Sequence, residues 1–433
     1  MKLKEYETKS KFPIEPFGKF IEKIQYGTSE LAEKDTEGIP VIRMNNLKDN
    51  SWDFSDLKYM NLSNEEFERY RLDKGDILFN RTNSKELVGK CAVFEEKGSW
   101  VFASYLIRVK LNDKLLPKYA SAILSSNLGR FQVDGLSRQI AGMTNINAEE
   151  IKTILLPIPP VEFQHKVIKF LDEELKKASL KRGQALDIIS SIDRTIAQEI
   201  GFTFPTIVLK KTFAAKVSEL ENRIDPHFYL PGFKALVDNL RQINHEQLGN
   251  IVEFSNETWN QKDGFEDEFP YIEISEIDLT SGKIQNISYI PISEAPSRAR
   301  MMVRANDIIV STTRPHRGAI AFINEAQHGY IASTGFAVLR KLLLEDVNKE
   351  YLFYILRTQI CLQQMLQRSS GGSYPAITTE ELKKIYIPIP SLKVQLKIVT
   401  DIKKFIDKAE ALKEDAKIDL EKAKQDVEAL ILS

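Results

Sequence analysis

Two α+β domains in tandem, each followed by a long helix, with the two helices pairing as an antiparallel coiled coil: this is the fold class the sequence predicts. Three observations lead to it. An internal repeat runs through the 433 residues, two stretches carry an alternating four-three apolar spacing, and short β-type runs between turn signals recur in both halves. The partition that follows is a first domain over 1–157, a helix over 158–201, a second domain over 202–388 and a second helix over 389–433.

The helices carry the strongest signal. Leu-Leu-Pro-Ile-Pro-Pro-Val-Glu-Phe-Gln (Leu155 to Gln164) leads into the first, and Tyr-Ile-Pro-Ile-Pro-Ser-Leu-Lys-Val-Gln (Tyr386 to Gln395) into the second. Prolines fix an extended approach and lack the N–H that a first helical turn leaves unpaired. Behind them, one seam runs through Leu171, Leu175, Ala178, Arg182, Ala185, Ile189, Ile192 and Ile196. The other runs through Ile402, Ile406, Ala409, Lys413, Ala416, Leu420, Ala423 and Val427, each 231 residues after its counterpart. So narrow a stripe is a coiled-coil seam rather than the wide face of a globular helix. A helix of roughly 35 residues is about 50 Å long at ~1.5 Å per residue, more than one domain can cover. Pairing of the two helices is therefore expected. Arg182 and Lys413 interrupt the seams at the same place, either to fix register or to snorkel outward to a partner.

The domains read as follows. Met1 to Lys19 is expected to be an arm before the first domain. Between Phe20 and Leu156, β-type runs occur at Ile39 to Met44, Lys74 to Asn80, Cys91 to Phe94 and Trp100 to Val109. Helix-like segments interrupt them at Glu65 to Tyr70 and Pro117 to Phe131, which predicts a curved, mostly antiparallel sheet with helices. Gly201 to Pro205 is a linker by composition. The second half then repeats the first: Tyr271–Glu276 echoes Val41–Asn46 at an offset of 230, and Asn306–Ser311 echoes Gly75–Asn80 at 231. Tyr330–Gly335 echoes Val101–Leu106 at 229, and Ile377–Ile385 echoes Ile146–Ile154 at 231.

Sixty Lys and Arg against 61 Asp and Glu give a formal charge of −1, which excludes a uniformly basic protein but leaves room for a segregated basic surface. The two cysteines, Cys91 and Cys361, have no metal-ligand or disulfide spacing. No apolar run approaches the ~20 residues of a membrane span and the first residues lack an apolar signal core, so a cytoplasmic protein is expected.

What the repeat changes points to function. The strands and seams match between halves, whereas Asn80-Arg-Thr-Asn-Ser-Lys faces Ser311-Thr-Thr-Arg-Pro-His-Arg, and Ser137-Arg-Gln-Ile-Ala-Gly-Met-Thr faces Arg368-Ser-Ser-Gly-Gly-Ser-Tyr. One scaffold with two sets of polar loops suggests two readers of different targets. Base edges in the major groove are read by Arg on guanine and Asn or Gln on adenine, and phosphates are held by Lys, Arg, Ser, Thr and backbone N–H groups. Candidate DNA-binding residues are therefore Asn80, Arg81, Thr82, Asn83, Arg138 and Gln139 in the first domain. In the second they are Thr312, Thr313, Arg314, His316, Arg317, Arg368, Ser373 and Tyr374. Gly142, Gly371 and Gly372 would let backbone approach a phosphate or simply make a turn. Arg298, Arg300 and Arg304 form a basic cluster that either tracks a sugar-phosphate backbone or guards a strand edge.

The whole chain resembles the DNA-specificity subunit of a Type I restriction-modification system. The likeness rests on the duplicated order, on Gly75 to Ser84 (Gly-Asp-Ile-Leu-Phe-Asn-Arg-Thr-Asn-Ser), on Asn222 to Tyr229 (Asn-Arg-Ile-Asp-Pro-His-Phe-Tyr) and on both Pro-Ile-Pro…Gln lead-ins. The second loop departs from the Asn-Arg-Thr-Asn-Ser form. The resemblance implies that each variable domain is a target-recognition domain reading one half of a split site in double-stranded DNA. It implies helices that set the distance between readers and dock two methyltransferase subunits, with or without translocating restriction subunits. The chain itself would be non-catalytic and without cofactor, S-adenosylmethionine belonging to the methyltransferase partners, which methylate adenine.

The residues agree that catalysis is absent. Asp225-Pro-His-Phe is the nearest string to an adenine-methyltransferase motif, lacks its second proline, and reads as a structural lead-in. Neither a glycine-rich nucleoside loop nor Gly-x-x-x-x-Gly-Lys-Ser/Thr occurs. Two alternatives stay open: a reader serving another restriction-modification architecture, and a coiled-coil adaptor joining proteins without DNA, which leaves the Arg-rich loops unexplained.

Overall fold

The computed structural model describes the chain except residues 1–7, 34–36, 49, 85–86, 141–142, 207–211, 215, 217–219, 222, 261–263 and 433. It forms two compact units, one of Met1–Arg182 with Lys413–Ser433 and one of Gly183–Leu412. The long helices run Val161–Glu199 and Leu392–Leu432, so each unit holds one globular domain and a segment of each helix.

In the first unit, an antiparallel sheet has the order Ile21–Tyr26, Leu106–Leu111, Ile77–Asn80, Cys91–Val93. Alternation along its strands divides the apolar side chains between two cores. Ile77, Phe79, Ile107 and Val109 join Phe17, Tyr119 and Ile123 on one side, whereas Leu78 and Leu106 join Ile42, Phe94 and Phe102 on the other. A smaller sheet orders Val101–Phe102, Ile39–Ile42 and Lys58–Met60, the first pair parallel. The run expected from Trp100 to Val109 is thus two strands in two sheets, separated by a turn in which Leu106 N–H donates to the Ala103 carbonyl. The helix expected from Pro117 to Phe131 is also two, Pro117–Ser125 and Asn127–Leu136, broken where the Ser126 hydroxyl donates to the Ile123 carbonyl at 2.7 Å.

The N-terminal stretch corrects an expectation. Rather than an arm, Ile14–Pro16 pairs antiparallel with Leu155–Pro157, and Phe17 is fully buried. The proline lead-in is therefore a strand before it is a helix. At its end Gln164 is buried and caps three separate backbone groups. It accepts from Leu116 N–H at 2.8 Å and donates to the Lys114 and Pro159 carbonyls at 3.0 Å. Val427 and Ile431 of the second long helix complete this unit's main core, and the Lys181 ammonium meets the Asp419 carboxylate at 2.6 Å.

The second unit repeats the plan. Its sheet runs Val252–Ser255, Phe336–Leu342, Ile308–Ser311, Ile320–Phe322, and its smaller sheet keeps the parallel pair Glu268–Ile272 with Ile331–Ser333. The smaller sheet gains a fourth strand, Ala299–Met302, at the edge. His245–Gln247 pairs with Tyr386–Pro388, and Gln395 accepts from Asn348 N–H at 2.8 Å while donating to the Asp346 and Pro390 carbonyls. Ile196, Ile398, Ile402 and Ile406 lie in its core, and Lys397 meets Glu199 at 2.5 Å.

Among the seam positions, Ala178, Ala185, Ile196, Ile402, Ile406, Ala409, Ala416, Ala423 and Val427 are buried, and Leu171, Leu175, Ile189, Ile192 and Leu420 are half-buried. Arg182 and Lys413 are exposed, which favours the outward reading of the two interruptions. They also mark where the compact units divide.

Candidate nucleic-acid interface

In the first unit the candidate loop leaves the sheet at Asn80. Asn80 is buried, and its Nδ2 donates to the Leu87 carbonyl at 3.1 Å while its backbone bonds Gly89 and Lys90. Gly89 has φ +80, and a Cβ there would lie 2.4 Å from Val133 Cγ1, so this turn requires glycine. Thr82–Asn83 then pairs with Met143–Asn145, which pairs with Arg138–Ile140. One three-stranded sheet thereby brings the two sequence-predicted loops together. Thr82 is buried, its hydroxyl donating to Asn145 Oδ1 at 2.6 Å. Arg81 lies 4.9 Å over the Tyr26 ring, and Nε donates to Thr82 Oγ1 at 3.3 Å. Arg138 is exposed, 3.3 Å from the Glu150 carboxylate. Gly142 lies outside the described residues, as do the side chains of Asn83 and Gln139.

The second unit joins its loops the same way with different residues. Thr313 bridges Ala376, Ile377 N–H donates to the Thr312 carbonyl at 2.8 Å, and Arg314 N–H donates to Pro375 at 2.7 Å. The first of these backbone bonds repeats Ile146 N–H to the Arg81 carbonyl in the first unit, 2.9 Å. Thr312 Oγ1 donates to the Gly335 carbonyl at 2.9 Å. Ser373 and Tyr374 sit exposed on a hairpin closed by Ser370 and Ala376, whose Gly371 has φ +93. Arg314 lies 3.9 Å over the Tyr374 ring, and its Nη2 reaches the Ser373 carbonyl at 3.4 Å. Arg317 is exposed. Burial first, then the neighbouring Arg317 and Arg314, pull the His316 imidazole below its usual pKa. A neutral ring next to two arginines can accept as well as donate.

Three candidates are committed elsewhere. Arg368 is buried, bonding Glu381 at 2.9 Å and Glu221 at 3.2 Å and lying over the Phe228 ring, so its charge serves the fold. Asn80 and Thr82 likewise hold the loop rather than offer surface. In the basic cluster, Arg304 pairs with Glu257 at 2.6 Å, whereas Arg298 and Arg300 are exposed. Asp225-Pro-His-Phe is a structural lead-in: Asp225 pairs with Arg223 at 2.7 Å and Pro226–Tyr229 is a 3₁₀ turn. Sequence reasoning missed Tyr26 and Asn145. The signal for Tyr26 was an aromatic at a strand end before Gly27-Thr28; for Asn145 it was an amide opposite Thr82, visible only once the pairing is known.

Loops of this kind offer planar donors and hydroxyls on a rigid sheet edge, the chemistry of groove edges and phosphates. Among the described residues no cluster suited to a metal ion occurs, and no helix is long and apolar enough to cross a membrane.

The chain is similar to several known proteins. The MjaX specificity subunit of a type I restriction enzyme of Methanocaldococcus jannaschii is 25% identical over 420 residues, covering 95% of this chain and 91% of that one. The MjaVIII specificity subunit of the same organism is 21% identical over 389 residues, covering 87% and 82%. A chain solved in a study of assembly and conformational transition of the type I R-M system is 15% identical, covers 98% of this chain and 97% of its own, and has a TM-score of 0.49. The family model of the type I restriction modification DNA specificity domain matches residues 11–189 and again 244–422, most of both repeats, and the chain thus belongs to the specificity subunits of type I restriction-modification systems.

Proposed function

We propose that the chain reads a bipartite target in double-stranded DNA, one short block per unit, and directs adenine methylation and restriction at that site by partner subunits. The observation that carries this reading is a duplicated scaffold whose strands and helix lead-ins match while the loops gathered at one sheet edge differ, Arg81 and Arg138 in one unit and Arg314 and Arg317 in the other. A specificity subunit recognises the DNA target for a complex whose chemistry lies in other subunits. Two methyltransferase subunits would hold S-adenosylmethionine and flip the target adenine from the stack, and translocating restriction subunits would complete a restricting complex. The work would take place in the cytoplasm, where the chromosome is.

The long helices would pair as an antiparallel coiled coil and space the readers. In support, an ion pair joins the two helices within each unit, Lys181 with Asp419 and Glu199 with Lys397, and partner numbers fall as the first helix advances. Half-sites read from one face of the duplex would lie about one helical turn, ~34 Å, apart.

Genome-wide adenine methylation in the native host, with and without the gene, tests the proposal. The expected result is loss of one split motif, two short blocks around an unspecified spacer, on deletion. A methylation pattern unaffected by deletion and by restoring the gene together with its methyltransferase partners would count against it.

A further inference from the structure

In both units an arginine of the candidate loop lies over the ring of an exposed tyrosine: Arg81 over Tyr26 at 4.9 Å and Arg314 over Tyr374 at 3.9 Å. The repeat does not explain this likeness. Arg81 corresponds to Thr312, Arg314 to Asn83 and Tyr374 to Met143 at the offset of 231, and the strand register aligns Tyr26 with Asn256 at 230. The same couple is therefore built twice, from residues that are not equivalent, at the same loop junction. Simple inheritance from a duplicated ancestor would have placed it at equivalent positions.

We infer that Tyr26 and Tyr374 are positioning residues that hold Arg81 and Arg314 as readers of guanine, one in each DNA block. This rests on the reading of the chain as a bipartite DNA reader. A guanidinium over an aromatic face keeps its in-plane donors directed outward. Two parallel donors fit O6 and N7 of guanine in the major groove, a pattern no other base presents. Tyr26 is anchored by its hydroxyl, and Tyr374 lies on a tight turn. The Tyr26 hydroxyl accepts from Ala148 N–H at 3.1 Å. Tyr374 sits on the hairpin whose Gly371 would, with a Cβ, approach the Tyr374 carbonyl to 3.1 Å. Arg314 has φ 49, a left-handed conformation costly for a non-glycine residue and kept only where its surroundings over-determine it. Its N–H bond to Pro375 supplies that constraint. Among the described residues, no protein partner occupies the terminal nitrogens of Arg81, and Arg314 has only the long Nη2 contact to Ser373. The other candidate arginines differ: Arg138 faces Glu150, Arg368 is buried between two carboxylates, and Arg317 is exposed without an aromatic ring beneath it among the described residues.

The test uses the full chain assembled with its methyltransferase partners, selecting from a duplex library with randomised positions. The wild-type complex is expected to select a split motif with a guanine at one position or more in each block. Tyr26→Ala is expected to reduce the preference for one guanine, in one block only, by roughly 5- to 100-fold. Tyr26→Phe, which keeps the ring, should retain most of that preference. Tyr374→Ala and Tyr374→Phe should behave likewise in the other block. Arg81→Lys and Arg314→Lys keep the charge but lose the planar fork, and should relax the same positions even if an alanine variant misfolds. Unchanged guanine preference in these variants, or equal loss at every position, overturns the inference while leaving the bipartite reading intact. A wild-type complex that selects no split motif overturns both.

Discussion

The Glu257 carboxylate shows how a cation that looks available for DNA, Arg304, can be committed to the fold. It accepts two bonds from Arg304, at 2.8 and 2.6 Å, and is paired with Arg340, which also bonds the buried Asp307 at 3.0 Å. The Arg304 bonds first, with Arg340 adding, pull the Glu257 carboxyl down to about 2 from 4.5 against a smaller opposing effect of burial. A folded-state pKa below the unfolded one stabilises the fold fully above about 4.5, and that contribution is lost as pH falls through about 2. Glu257→Gln is therefore expected to lower unfolding free energy at pH 7 by about 1–3 kcal/mol. In urea titrations its difference from wild type should close as pH approaches 2; a gap that persists there would mean the loss is steric. Polarity and position in the sequence singled out loops that the fold brings together but could not separate exposed Arg317 from buried Arg368. The carboxylate that neutralises Arg368 from Glu221 is 147 residues away. Nor could they reveal Tyr26, which meets Arg81 only after the strand carrying it has paired with Leu106–Leu111.

Elements were more legible than residues, because apolar periodicity and proline are local signals. Both long helices, their equal lead-ins and most strands follow from them. The exceptions were set by non-local pairing: Ile14–Pro16 became a strand only through Leu155–Pro157, and Trp100 to Val109 divided because its ends serve different sheets. The glutamine of each lead-in was visible in the motif but its reason was not. Its partners lie 48 to 50 residues earlier in the first unit, at Leu116 and Lys114. Gln164 and Gln395 are each fully buried and satisfy three backbone groups that no neighbouring strand serves. Replacing either by Leu keeps the volume approximately and removes all three bonds, at a cost of about 3 kcal/mol or more since each orphaned buried group costs about 1–3 kcal/mol. Hydrogen exchange should locate the loss: Gln164→Leu should expose amides in the first unit and Gln395→Leu in the second. Equal loosening of both units by either variant would show that the two fold as one cooperative body.

At the scale of the whole molecule, the duplicated order was readable, and the exchange of helix segments, by which Lys413–Ser433 completes the first unit, is what the expected antiparallel pairing implies although no local signal alone marks it. That exchange bears on spacing. If the helices pair along the seams, their length is what separates the two readers, and a whole heptad is the smallest change that preserves seam phase. Removing Arg182–Ile188 and Lys413–Asp419 together takes one heptad from each helix, shortening each by about 10 Å at ~1.5 Å per residue. The deletion begins at the two exposed interruptions and sacrifices the Lys181–Asp419 pair, a half-exposed contact worth about 0–1 kcal/mol. The selected motif is then expected to keep both specified blocks and lose about three base pairs from its spacer, with weaker binding because the blocks are also turned relative to each other around the duplex. Deleting a heptad from only one helix should instead misalign the seams and abolish selection of a split motif. Unchanged spacing in the double deletion would mean that something other than helix length sets the distance between blocks.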